Sequence, residues 1–85
     1  MRLDKFLKVS RLAKRRSEAK DGIDAGRIKK DGRALKPGYE VKPGDVLVIR
    51  YRTKDLTVRI LDVPQRVLPS LVPSSLYEIL GEERS

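Results

Sequence analysis

The chain has 85 residues, which makes one small domain that buries about 60–65% of its unfolded surface, and 39% of the residues are hydrophobic, enough to build a core. It contains no cysteine and no histidine, which excludes disulfides, thiolate metal sites, and the commonest general base and zinc ligand. The net charge of +8 is lopsided: residues 1–36 hold 13 Lys and Arg against 5 Asp and Glu, while residues 37–85 hold 7 against 7.

A positive field confined to one part of a chain favours a polyanionic partner. A membrane surface is the rival to nucleic acid, but the first helix has only a short apolar face, which the core of so small a domain needs. The longest apolar run, Val46-Leu47-Val48-Ile49, is too short to cross a bilayer, and the basic N-terminus lacks the apolar centre of a signal peptide. The expected location is the cytoplasm, with no membrane contact.

In chain order, the first predicted helix runs from about Leu3 to Ser10. Helical spacing puts Leu3, Phe6, Leu7 and Ser10 on one side and Lys5 and Lys8 on the other, with Arg2 flanking. Asp4 either pairs with Lys8, four residues on, or braces a neighbouring arginine. Leu12 should point inward from a connection that also carries Arg11, Lys14 and Arg15. A second helix is predicted from Arg16 or Ser17 to Ala25, with Ala19 and Ile23 inward and Gly26 as its left-handed cap. Gly22 weakens that helix by roughly 1 kcal/mol relative to alanine.

Cations at a helix N-terminus oppose the helix dipole by about 0.3–1 kcal/mol. Arg15 and Arg16 stand at such a terminus, where free backbone N–H groups and two guanidinium groups converge. That is phosphate-binding chemistry. With the other cations of this region, the candidate polyanion-binding set is Arg2, Lys5, Lys8, Arg11, Lys14, Arg15 and Arg16.

The pattern then turns to strands. Arg27-Ile28-Lys29-Lys30 meets Arg33-Ala34-Leu35 across Asp31-Gly32, a two-residue hairpin signal. Lys36-Pro37-Gly38 and Pro43-Gly44-Asp45 are turns, the second feeding a strand over Val46–Tyr51 with Leu47, Ile49 and Tyr51 on one face. A further hairpin at Thr53-Lys54-Asp55 leads to a strand over Thr57–Val63, stopped by Pro64. Two helices on a small, mostly antiparallel sheet make an α+β fold over residues 1–63.

Residues 64–85 read as a proline-punctuated tail in which Val67, Leu68, Leu71 and Val72 should drape over the body. Ser75-Leu76-Tyr77-Glu78 matches a capping box, which predicts a short C-terminal helix through Leu80, anchored by Tyr77 and Leu80 and ended by Gly81. Residues 82–85 should fray.

Arg2-Leu3-Asp4-Lys5-Phe6-Leu7, Ser10-Arg11, Arg16 with Ala19, Gly26-Arg27-Ile28, Asp31-Gly32 and Val41-Lys42-Pro43-Gly44-Asp45 together resemble the S-four RNA-binding domain over about residues 2–50. Within that superfamily, the unbroken opening through Leu12 and the Lys14-Arg15-Arg16 run resemble the family of RqcP and the fifteen-kilodalton heat-shock protein. The short chain and the Leu76–Leu80 ending fit the RqcP branch better, since the heat-shock relative carries a longer basic tail. Gly22 and Lys30 depart from the pattern, each standing where an apolar residue is usual.

The resemblance implies a non-enzymatic, monomeric factor of bacterial ribosome-associated quality control, without cofactor or metal. Its partners would be large-subunit rRNA, the P-site tRNA of an obstructed large ribosomal subunit, and an RqcH-like factor that adds C-terminal alanine tails. The family's two-helix RNA surface is matched here by Arg2, Lys5, Lys8, Arg11, Arg15 and Arg16. One Phe and three Tyr make no platform for a run of splayed bases, so contacts to phosphate and to folded RNA shape fit better. The alternatives are a small structural ribosomal protein and a translational regulator that binds messenger RNA. An enzyme is disfavoured, because Asp4, Asp24 and Asp45 read as helix-pairing and turn residues, not as a catalytic pair.

Overall fold

Two helices and a five-stranded antiparallel sheet are built in the order α1 (Leu3–Val9), α2 (Arg16–Asp24), β1 (Ile28–Lys30), β2 (Arg33–Ala34), β3 (Val46–Arg50), β4 (Lys54–Ile60) and β5 (Tyr77–Arg84). The computed structural model describes residues 1–84. The sheet order is β2-β1-β3-β4-β5. The helices cover one face of it.

The α1 stripe is buried as its spacing requires: Leu3, Phe6, Leu7 and Ser10 are all enclosed. The buried Ser10 hydroxyl donates to the Leu7 carbonyl at 3.3 Å, so it carries no unmet polar group. Leu3 and Asp4 donate their N–H groups to the Tyr39 and Pro37 carbonyls, at 2.7 and 3.3 Å, so a loop caps the start of α1. Ala19 and Ile23 of α2 face inward, as does Leu12 from the connection. Gly26, at φ +76°, ends α2. Its N–H bonds the Ile23 carbonyl and that of Arg27 bonds Gly22, the two bonds of a Schellman cap.

Asp31 and Gly32 both take positive φ, +53° and +77°, as a two-residue turn with right-handed strand twist requires. β3 and β4 alternate in burial. Leu47, Ile49, Leu56, Val58 and Ile60 enter the core, while Val46, Val48 and Arg59 face solvent. Lys30, where the S-four pattern has an apolar residue, is held by direct polar contacts. Its ammonium reaches the Tyr39 hydroxyl and the Asp45 carboxylate, each at 3.0 Å, and Asp45 also accepts from the Lys42 N–H at 3.0 Å. Asp45 is thus a buried junction as well as a turn residue.

The predicted C-terminal helix does not form. Residues Pro73–Leu76 make one 3-10 turn, and Tyr77–Arg84 is the fifth strand, paired with β4 from Ile60↔Tyr77 to Lys54↔Arg84. The Ser75 hydroxyl donates to the Val72 carbonyl at 2.6 Å, so no capping box is made. The reason is long-range: β4 would otherwise present a full edge of unpaired backbone groups, and local helix chemistry cannot outweigh a seven-pair ladder. Gly81 lies opposite Thr57 beside a bulge at Leu80, not at a helix end. The anchor is Leu76, fully buried, whereas Leu80 is exposed. Glu82, Glu83 and Arg84 belong to β5; Ser85 lies outside the described residues. Val67, Leu68 and Val72 do not drape over the core but remain exposed, and only Leu71 of that group packs against it.

Candidate nucleic-acid interface

Asp4 is buried to 3% exposure and serves as the joint between the two helices. It accepts the Lys5 N–H at 2.8 Å, the Arg2 Nε and Nη2 at 3.3 Å each, and the Arg16 Nη2 at 3.4 Å. Of the two expected partners of Asp4, the arginines are the ones found. Burial by itself would raise the Asp4 carboxyl. The Lys5 N–H, the hydrogen bond and charge of Arg16, and the charge of Arg2 outweigh it and hold the group below the usual carboxylate value.

Both arginines keep half of their side chains in solvent. Each guanidinium therefore touches Asp4 while half of its side chain stays open to solvent. α2 begins at Arg16 itself, with Arg15 as the N-cap residue and no side chain capping the first turn. Ser17 lies inside the helix. Arg16 thus stands at the positive end of a helix dipole, and Asp4 offsets the repulsion. Uncapped N–H groups beside a braced guanidinium attract an oxyanion such as phosphate.

Lys5, Lys8 and Arg16 line one open concavity of about 610 Å³, whose opposite wall is Gln65, Arg66 and Val67 from the connection between β4 and β5. Arg66 is a cation that the sequence reading missed. Its only local signal is a lone charge between Pro64 and Pro69 in an apolar stretch. Its neighbours on α1 lie nearly sixty residues earlier in the chain.

Arg11 and Lys14 are placed elsewhere. They line a separate concavity of about 530 Å³ with Arg52, Lys54 and one side of β5, in which Glu18 and Glu82 are the acidic members. Arg11 takes φ +62°, a left-handed conformation that follows the end of α1. Arg15 is exposed at the N-cap of α2. Five of the seven predicted cations therefore line two separate concavities rather than one, and Arg2 and Arg15 line neither. The connection between the helices is pinned by Tyr51, whose hydroxyl donates to the Leu12 carbonyl at 2.6 Å. Burial, then the negative charge of Tyr77 and Glu18 when ionised, pushes the Tyr51 hydroxyl up to about 12. Among the described residues no cluster of His, Cys, Asp or Glu could hold a metal ion, and no helix is long and apolar enough to cross a membrane.

Comparison with known proteins shows the family. The S4 domain family matches residues 1–47, which include both helices and the first hairpin. The RQC P-site tRNA stabilizing factor of Halalkalibacterium halodurans is 52% identical over 83 residues, covering 98% of this chain and 93% of that protein. The protein of the same name from Bacillus subtilis is 45% identical over 84 residues, covering 99% and 96%. Heat Shock Protein 15 of Vibrio cholerae, solved as a trimer, superposes with a TM-score of 0.80 at 26% identity, covering 93% of this chain and 80% of its own. The match over residues 1–47 and the first two relatives, at 45–52% identity and covered almost throughout, place the chain in the S4 domain family and, within it, in the family of the RQC P-site tRNA stabilizing factors.

Proposed function

We propose that this chain is a non-enzymatic RNA-binding factor of the bacterial cytoplasm. It holds large-subunit rRNA and P-site peptidyl-tRNA on obstructed large ribosomal subunits, as a monomer, and supports C-terminal alanine tailing with an RqcH-like factor. The observation that carries this reading is the Asp4 joint. One buried carboxylate holds both Arg2, at the N-cap of α1, and Arg16, at the uncapped start of α2, and half of each arginine side chain stays in solvent for phosphate. Lys5, Lys8 and Arg66 extend the contact along one concavity, Arg11 and Lys14 hold adjoining backbone from a separate one, and the exposed Arg15 adds a further cation at the N-cap of α2. The names of the full-length relatives supply the P-site tRNA and the quality-control setting.

Phosphate contacts of this kind position a protein on folded RNA and depend steeply on salt. The test is sedimentation of a tagged chain in lysates with and without stalled translation. Enrichment on large subunits that still carry peptidyl-tRNA, lost in Arg16→Ala, is the expected result. One copy on every ribosome regardless of stalling would identify a structural ribosomal protein instead.

A further inference from the structure

A third concave site lies along α2, from Glu18 to Gly22. It is a cleft of about 270 Å³ between α2 and the end of β3. Leu12, Ala19, Gly22 and Ile49 form its apolar walls, and Tyr51 stands at its edge. Arg27, Arg50 and Arg52 ring the mouth, with Glu18 as the one acidic side chain. Arg50 is committed to Asp55, through contacts of 3.1 and 3.4 Å. Arg27 and Arg52 have no ion pair among the described residues.

Gly22 carries the second observation. It is helical, without the positive φ that demands glycine, and an added Cβ would meet only the Ile28 Cδ1 at 3.6 Å, an ordinary contact. Neither backbone conformation nor crowding asks for glycine inside this helix, where alanine is the better former. What the missing side chain does is leave the cleft open. An apolar slot too small for a drug-sized ligand, beside unpaired guanidinium groups, matches a flat base joined to a phosphate. Tyr51 is held rigid by its bond to Leu12, so it offers a fixed aromatic wall.

We propose that this cleft takes one unstacked RNA nucleotide, its base entering between α2 and Tyr51 and its phosphate resting on Arg27 and Arg52. Glu18 keeps the phosphate to the arginine side. The inference rests on the RNA-binding reading above and extends it. The cleft shares Leu12, Ala13, Glu18, Tyr51 and Arg52 with the concavity of Arg11 and Lys14, so the two are contiguous and one strand can run from there into the cleft, passing Glu18 on the arginine side. One tyrosine suffices for one base, though not for a stacked run.

The test is an amide chemical-shift titration of the full chain with adenosine 5′-monophosphate, adenosine, ribose 5-phosphate and a hexaglutamate peptide. Adenosine 5′-monophosphate should shift Ala13, Gly22 and Tyr51 saturably. Adenosine should shift the same residues about tenfold more weakly, for want of the charge-assisted contacts. Ribose 5-phosphate should reach only the surroundings of Arg27 and Arg52. Gly22→Leu, which fills the cleft, and Arg52→Ala should each weaken adenosine 5′-monophosphate. Should Gly22→Leu not fold, Gly22→Ala, which only narrows the cleft, takes its place. The same pattern from ribose 5-phosphate or hexaglutamate as from the nucleotide would overturn the proposal, as would filled or narrowed variants that bind it like wild type. Binding of blocked large subunits, measured in parallel, separates the two readings. If the chain ignores those subunits yet its cleft takes the nucleotide, the proposed function fails alone. If it binds them through Arg16 yet its cleft stays silent, this inference fails alone.

Discussion

The Arg16 guanidinium meets the Asp4 carboxylate at 3.4 Å and ties the first turn of α2 to the first turn of α1. Arg2 reaches the same carboxylate from the N-cap of α1. A binding surface made of flexible arginines would lose side-chain entropy on meeting RNA. Here part of that loss is already met in folding, because a buried acceptor sets where both groups begin.

Replacing Asp4 by Asn should therefore act twice. Removing a buried, multiply bonded carboxylate costs about 1–3 kcal/mol, or roughly 4–8 °C of thermal midpoint for each kcal/mol in a domain of this size. RNA binding should also fall although no cation is removed. Asp4→Asn, Arg16→Ala and the double variant form a cycle. Strong coupling in binding is expected, and additive losses would show that Asp4 does not position Arg16.

The two buried carboxylates also shape the acid limb of stability. Asp4 is held below its usual value as described. For Asp45, burial opposes, but hydrogen bonds from Lys30, Tyr39 and the Lys42 N–H prevail and hold it low as well. A carboxyl lowered in the folded state stabilises above its unfolded value, about 3.9, and loses that contribution as pH falls through the folded value. The thermal midpoint should drop below about pH 4, and Asp45→Asn should flatten that drop while lowering the neutral plateau. Midpoints measured across the acid range decide it, and an unchanged slope would remove Asp45 from the account.

Local chemistry was legible in the sequence and long-range competition was not. The α1 stripe, the Gly26 cap and the Asp31-Gly32 turn each depend on neighbours within a few residues, and each stands as read. Ser75 to Glu78 had a local helix signal too, but the open edge of β4 decided the outcome, and the alternation of Tyr77 with Ile79 in that strand was the overlooked clue. Asp45 showed its turn role, while its contact with Lys30 spans fifteen residues. Arg66 joins Lys5 and Lys8 only through the path of the β4–β5 connection, which no periodicity encodes.

The tail now gives a sharper stability test. Leu76 is fully enclosed, and its carbonyl accepts the Leu61 N–H at 2.8 Å, which fixes the start of β5. Leu76→Ala should cost about 2–5 kcal/mol. Leu80→Ala, at an exposed bulge, should stay within about 0.5 kcal/mol. Thermal melts of the two variants should differ widely, and similar midpoints would mean that β5 contributes little to the fold.

Arg11 offers a variant whose stability and binding should move in opposite directions. Left-handed backbone costs a non-glycine residue about 1–2 kcal/mol, which glycine avoids while losing more chain entropy on folding. Arg11→Gly should leave the thermal midpoint equal or higher and still weaken RNA binding. A lower midpoint would show that the Arg11 side chain supports the fold, and unchanged binding would take it out of the interface.

Arg16 and Arg59 together test whether the interface is a place or merely a charge. Arg16 sits at the Asp4 joint, whereas Arg59 projects from β4 and pairs with Glu78 on β5. Each variant to alanine removes one positive charge. If charge alone governs binding, both should weaken it alike. If Arg16 holds a phosphate, its loss should lower affinity for blocked large subunits and reduce the log–log salt slope by about 0.7–0.9, the share of one phosphate contact. Arg59→Ala should leave that slope unchanged and cost at most about 1 kcal/mol of stability, the value of an exposed pair. Titrations at several salt concentrations, with melts of both variants alongside, give the comparison. Equal losses of affinity and slope would reduce the interface to bulk charge, and wild-type behaviour of Arg16→Ala would remove the joint from it altogether.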